Sequence, residues 1–210
     1  PWACGVGPVG RPVLPHGRGS DTLAAMDHRQ RLKELLVERS VRLGDFTLAS
    51  GARSSYYVDA RRTTMCAEGQ MLVGRVAYDA LRDTDLDPTH VGGLTMGADP
   101  VSYAIAHRSF LEGRAIDAFS VRKKAKEHGT GQRIEGGLPA DGRVVVIEDA
   151  VTSGGSALQA MDALTEHGVV ILGVLTLVDR EEGGRERIEA RGVPLLALFR
   201  GTELRDAAGS

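Results

Sequence analysis

The chain has 210 residues, 42% hydrophobic and 26% charged: long enough for one well-buried domain and too apolar for a disordered polypeptide. A net charge of −2 supplies no general basic field for nucleic acid, and no apolar run approaches the ~20 residues of a membrane helix. Cys4 and Cys66 have neither metal-ligand spacing nor a disulfide framework, so a reducing, cytoplasmic setting is the expectation.

Residues 1–25 are rich in Gly and Pro and lack periodicity, which predicts a disordered extension, with the folded part running over 26–210 from Met26. GVGPVG (5–10) has the spacing G-x-G-x-x-G, but no strand precedes it, no amphipathic helix follows and Pro8 interrupts it, so the match is accidental. Leu32, Leu35 and Leu36 mark an amphipathic helix. FTLASG (46–51) and SSYYVDARR (54–62) read as two extended segments around a turn at Gly51. Residues 66–83 have helical periodicity, with Met71, Leu72, Val76 and Leu81 expected inward. HVGGL (90–94) is a short strand, and residues 97–111 form a turn entering a helix. Strands are expected over 115–121, 143–149, 169–180 and 194–199, with helices over 156–167 and 184–190. Strands alternating with helices predict a parallel α/β sheet, whose ligands collect at the carboxyl ends of the strands.

Between Val121 and Arg143 lie some twenty residues with no clear structure, long for a loop inside a compact domain and suited to a lid. Over 122–133, Arg122, Lys123, Lys124, Lys126 and Arg133 stand against Glu127 alone, a net +4 that leaves the rest of the chain at −6. Cations on a loop hinged by Gly129, Gly131, Gly136 and Gly137 suit closure over a small polyanion, the alternative being a solvated charged loop. His128 is either a proton donor or diphosphate contact, or merely solvated. No aromatics interleave these cations, which argues against nucleic acid.

VVVIEDAVTSGGSALQAM (144–161) carries the sharpest signal. A buried apolar strand runs into Glu148 and Asp149, then Thr152, Ser153, Gly154, Gly155 and Ser156, then a helix. Hydroxyls and open backbone N–H groups at a helix N-terminus suit a phosphate. Bare carboxylates repel phosphate, so the two acids serve another part of the same ligand, unless Asp149 merely caps the turn and the glycines merely shape it.

The segment resembles the phosphoribosyl-diphosphate (PRPP) signature of type I phosphoribosyltransferases. SVRKKAKEHGTGQRIEG (120–136) and FTLASGARSSYYVDARR (46–62) resemble the narrower orotate phosphoribosyltransferase family, the likeness running over about residues 27–200. The resemblance implies an α/β fold with a central, mostly parallel sheet flanked by helices, a small N-terminal hood and a flexible catalytic flap. It implies Mg²⁺-dependent transfer of the phosphoribosyl group from PRPP to orotate in pyrimidine biosynthesis. The implied assembly is a homodimer whose flap reaches the partner's site, with no nucleic acid and no membrane among its partners.

Residue by residue, the resemblance assigns catalysis to Lys126, His128 and Asp149. PRPP binding falls to Arg122, Lys123, Lys126, His128, Glu148, Asp149, Ala150, Val151, Thr152, Ser153, Gly154, Gly155 and Ser156. Glu148 and Asp149 take the ribose hydroxyls, and Thr152 to Ser156 cradle the 5-phosphate. Orotate falls to Ser50, Gly51, Tyr57, Thr152 and Arg180, with a surface ion pair to Glu181 or Glu182 as the alternative for Arg180. Mg²⁺ has no direct protein ligand and is held mainly through PRPP. Two positions depart from some members, which have lysine in the first motif where this chain has Ala49, and in the diphosphate loop where it has Asp99. The competing readings are a phosphoribosyltransferase for another base and a PRPP-sensing regulator without catalysis.

Overall fold

A computed structural model describes residues 27–47, 51, 53–124 and 133–210. The expected N-terminal extension, Met26, Ala49, Ser50, Lys126 and His128 lie outside the described residues. The chain opens with α1 (His28–Ser40), capped by the Asp27 side chain, which accepts from the Arg29 and Gln30 amides. An antiparallel hairpin follows, β1 (Val41–Thr47) and β2 (Arg53–Val58), as a separate two-stranded sheet. Next come α2 (Arg61–Thr64) and α3 (Ala67–Arg82). The main body then runs β3 (His90–Leu94), α4 (Ala98–Leu111), β4 (Asp117–Val121), β5 (Ile134–Glu135), β6 (Arg143–Val151), α5 (Gly155–His167), β7 (Val170–Asp179), α6 (Gly184–Glu189), β8 (Leu195–Arg200) and α7 (Gly201–Ala208).

The six-stranded sheet has the order β5-β4-β3-β6-β7-β8, parallel throughout except for β5. The expected mostly parallel sheet flanked by helices is therefore present. Beta-branched runs build it because both faces are covered. Along β6, Val145 and Ile147 enter the core beneath α1, α3 and α4, while Val144 and Val146 enter the core beneath α5 and α6. In chain order the first parallel strand, β3, sits between the second, β4, and the third, β6. The connection reverses there, so the helix after β3 and the helix after β6 cover opposite faces. A crevice opens between the two turns, the place where doubly wound sheets bind ligands.

Three details differ from expectation. Met71 is 48% exposed, because it stands one residue off the buried stripe of Leu72, Val73, Val76 and Ala77. The strand expected to end at Asp149 continues to Val151, since Ala150 and Val151 still pair with Val178 and Asp179 of β7. The short α2 and β5, and α7 after the last strand, were not expected; α2 and β5 are too short for periodicity to reveal.

Leu175, fully buried on the central β7, is expected to cost about 2–5 kcal/mol when replaced by Ala, read as a lower urea midpoint. Phe110, 75% exposed on α4, is the control. Phe110→Ser is expected to stay within about 0.5 kcal/mol of the parent.

Candidate active site

The crevice is a cleft of about 1350 Å³ at the carboxyl ends of β3 and β6. Its floor is the turn after β6, where Ala150, Thr152, Ser153 and Ser156 border the cleft. Gly154, with φ of +77°, occupies the N-cap of α5 in the left-handed region that favours glycine, and no side chain caps the helix. The first amides of α5 thus keep their donors for an outside acceptor, beside three hydroxyls. Among the described residues no side chain, Asp149 included, caps α5. Val151 is buried, and its carbonyl accepts from the Arg180 amide (2.8 Å). Neither Val151 nor Gly154 nor Gly155 borders the cleft; all three shape the turn through the backbone.

Glu148 and Asp149 lie together at the carboxyl end of β6, their carboxyl groups close enough to interact, and both border the cleft. Asp149 meets the turn after β3, where a Cβ at Gly97 would crowd its carboxylate. Glu148 is 7% exposed, and its Oε2 is buried without a hydrogen-bond partner among the described residues. Burial first, and the adjacent Asp149 charge second, push the Glu148 carboxyl well above the usual carboxylate range. Both groups line the cleft.

The opposite wall comes from the hairpin. Alternation buries Tyr56 and turns Tyr57 outward into the cleft, braced by the Phe46 ring at 5.7 Å. Arg180, immediately after β7, lies over the Tyr56 ring at 4.3 Å and donates to the Tyr56 carbonyl (3.3 Å). It also pairs with Glu182 (2.9 Å). The ion pair considered for Arg180 exists, but it is not a surface pair: the arginine side chain is 2% exposed and borders the cleft. Gly51, with φ of +83°, makes the expected turn but does not border the cleft.

At the start of the cationic loop, Lys123 borders the cleft and its carbonyl accepts from Gln159 of α5 (3.3 Å). Arg122 does not border it, and pairs instead with Glu135 on β5 (2.8 Å). The Arg122 amide donates to the Arg133 carbonyl (2.7 Å), so the two ends of the loop are tied at its base. Asp99, in the first turn of α4, borders the cleft and accepts from Ser120 Oγ (2.7 Å). Sequence reasoning missed Arg61, a cleft residue held by Asp59 through Nε (2.9 Å). That bond first, with the charges of Asp59 and Asp149 adding, raises its pKa. The one available signal was a double arginine directly after a strand, in DARR.

The cleft thus joins an α5 N-terminus without a described side-chain cap, a carboxylate pair and the Tyr57 ring. The phosphoribosyl transferase domain family matches residues 67–193. Two curated relatives are orotate phosphoribosyltransferases, from Aquifex aeolicus (46% identical, covering 85% of this chain and 98% of the relative) and Streptomyces avermitilis (46%, 85% and 97%). The chain belongs to the orotate phosphoribosyltransferases. Among solved structures of that family, the Mycobacterium tuberculosis enzyme with Fe(III) dicitrate superposes at a TM-score of 0.74, with 44% identity over 84% of this chain and 98% of that one. The same enzyme solved with PRPP gives 0.70, with 40% identity over 85% and 99%.

Glu148 yields a stability prediction. A carboxyl whose pKa is raised by folding binds its proton more tightly in the native than in the unfolded chain. Stability therefore falls as pH rises from the ordinary carboxylate pKa through the raised one. The unliganded Glu148→Gln variant is expected to melt above the parent near about pH 8, the gap closing toward about pH 4. Melting temperatures across that range check it; parallel curves would assign the effect elsewhere.

Proposed function

We infer that the chain transfers the phosphoribosyl group of PRPP to orotate, giving orotidine 5'-phosphate and diphosphate in pyrimidine biosynthesis. The observation that carries this is the placement of Glu148, Asp149, the α5 N-terminus, Tyr57 and Arg180 around one cleft. In this reading the 5-phosphate sits on the amides and hydroxyls of Thr152 to Ser156. Asp149 and Glu148 accept from the ribose hydroxyls, and Tyr57 and Arg180 hold the planar, anionic base. The C1–oxygen bond to diphosphate breaks, the C1–nitrogen bond to orotate forms, and the orotate nitrogen gives up its proton.

The leaving diphosphate needs cations. Lys123 on the cleft, and Lys126 and His128 on the loop, are proposed for that role, with Lys126 in direct contact and Arg122 joining them by exchanging Glu135 for diphosphate. The donor set also fits Mg²⁺. Among the described residues no three His, Cys, Asp or Glu side chains gather to cage an ion. Mg²⁺ is commonly bound through substrate oxygens and few carboxylates; here it would be held mainly through PRPP, with Asp149 and Asp99 at the cleft rim as additional acceptors. When bound, the ion offsets charge on the diphosphate. Closure of the cationic loop would exclude water from the activated sugar. We further propose a homodimer that shares this loop across subunits, one domain over 26–210, and a cytoplasmic location. No described helix is long and apolar enough to cross a membrane.

Orotate absorbance followed with PRPP and Mg²⁺ is expected to fall with matched release of diphosphate. Omitting the metal, or replacing orotate by uracil or hypoxanthine, is expected to abolish turnover. Saturable PRPP binding without turnover would instead favour a regulator. Lys126→Ala is expected to lose about 10²–10³ in kcat with little change in the orotate KM; a near-normal kcat would remove Lys126 from the reaction.

A further inference from the structure

The turn after β7 is built to aim one carboxylate. Glu181 has φ of +59°, a left-handed conformation that non-glycine residues adopt at a cost. The Asp179 side chain supports it by accepting from the Glu181 amide (2.9 Å), and pairs with Arg185 of α6 (3.0 Å). The Glu181 carboxylate is tied to α7 through the amide (3.0 Å) and hydroxyl (2.6 Å) of Thr202. The neighbouring Glu182 is thereby directed the other way, to the cleft and to Arg180.

Arg180 has little freedom. Tyr56 covers one face of its guanidinium, the Tyr56 carbonyl accepts at its edge, and among the described residues Glu182 is its one carboxylate partner. A guanidinium buried to this degree requires a counter-charge. We propose that Glu182 determines acceptor specificity: its carboxylate holds the place on Arg180 that the carboxylate of the incoming base takes over. A carboxylated pyrimidine exchanges one anion for another on the same guanidinium. A neutral pyrimidine has nothing to exchange, so the Arg180–Glu182 pair stays closed against it. The proposal rests on the reading above that Arg180 holds the anionic base, and takes the carboxylate of that base as the group it holds.

Glu182→Gln keeps size and shape while removing the competing charge. The orotate KM of this variant is expected to fall about three- to tenfold, with the PRPP KM unchanged. Without orotate the variant is expected to melt below the parent, because Arg180 loses its counter-charge. Orotate is expected to restore the melting temperature, giving a larger ligand-induced shift than in the parent, while uracil gives none. An orotate KM that is unchanged or raised, or an equal gain for uracil, overturns the proposal. Should Glu182→Gln not fold, Glu182→Asp carries the same expectation at smaller size, since the shorter arm weakens the pair. Arg180→Gln separates the two layers: it is expected to raise the orotate KM at least about tenfold. A normal orotate KM in Arg180→Gln would remove Arg180 from base recognition and the Glu182 proposal with it.

Discussion

Strands β3 and β6 run side by side in parallel where the chain reverses its direction of travel across the sheet. Their helices depart to opposite faces, so the two turns separate and no side chain is forced between them. Every other feature of the cleft inherits its position from this reversal. The turn after β6 presents the α5 amides, and the turn after β3 presents Gly97 to Asp149. The extra two residues of pairing between β6 and β7 hold Glu148 and Asp149 inside a strand rather than on a loop. One of these two acids is buried, and the other meets the Gly97 turn.

The cleft concentrates charge that the fold alone would avoid. Among the described residues Glu148 has no partner for Oε2, and Arg180 is buried beside a carboxylate that is also at the cleft. Neither arrangement is a good source of stability, since desolvating charge offsets much of what pairing returns. The stability comes from elsewhere, from two apolar layers on either face of the sheet. Groups held in such unfavourable environments cluster at functional sites.

Much of this was legible in the chain itself. The alternation of strands and helices, the strand over 90–94 and the helix near 97–111 follow from periodicity that local packing obeys. The 148–156 segment already showed two carboxylates beside a glycine-opened helix N-terminus, because those features depend on residues adjacent in sequence. Met71 was misplaced because one residue of helical phase separates an inward from an outward side chain. The loop around Lys126 and His128, and Ser50, lie outside the described residues, so their assignment still stands on resemblance.

Long-range pairings were not legible. Arg180 was one arginine beside two glutamates, and only the fold shows Glu181 drawn to Thr202 and Glu182 left on the guanidinium. Arg122 and Lys123 were equals in a basic run, yet the β4–β5 pairing takes Arg122 to Glu135 and leaves Lys123 at the cleft. Arg61 joined the site only when the hairpin folded over the ends of the strands. The sequence alone determined which chemistry is available, because that depends on residue type and near neighbours. The tertiary structure decided which of several like charges faces the ligand, because partners distant in the chain compete for each one.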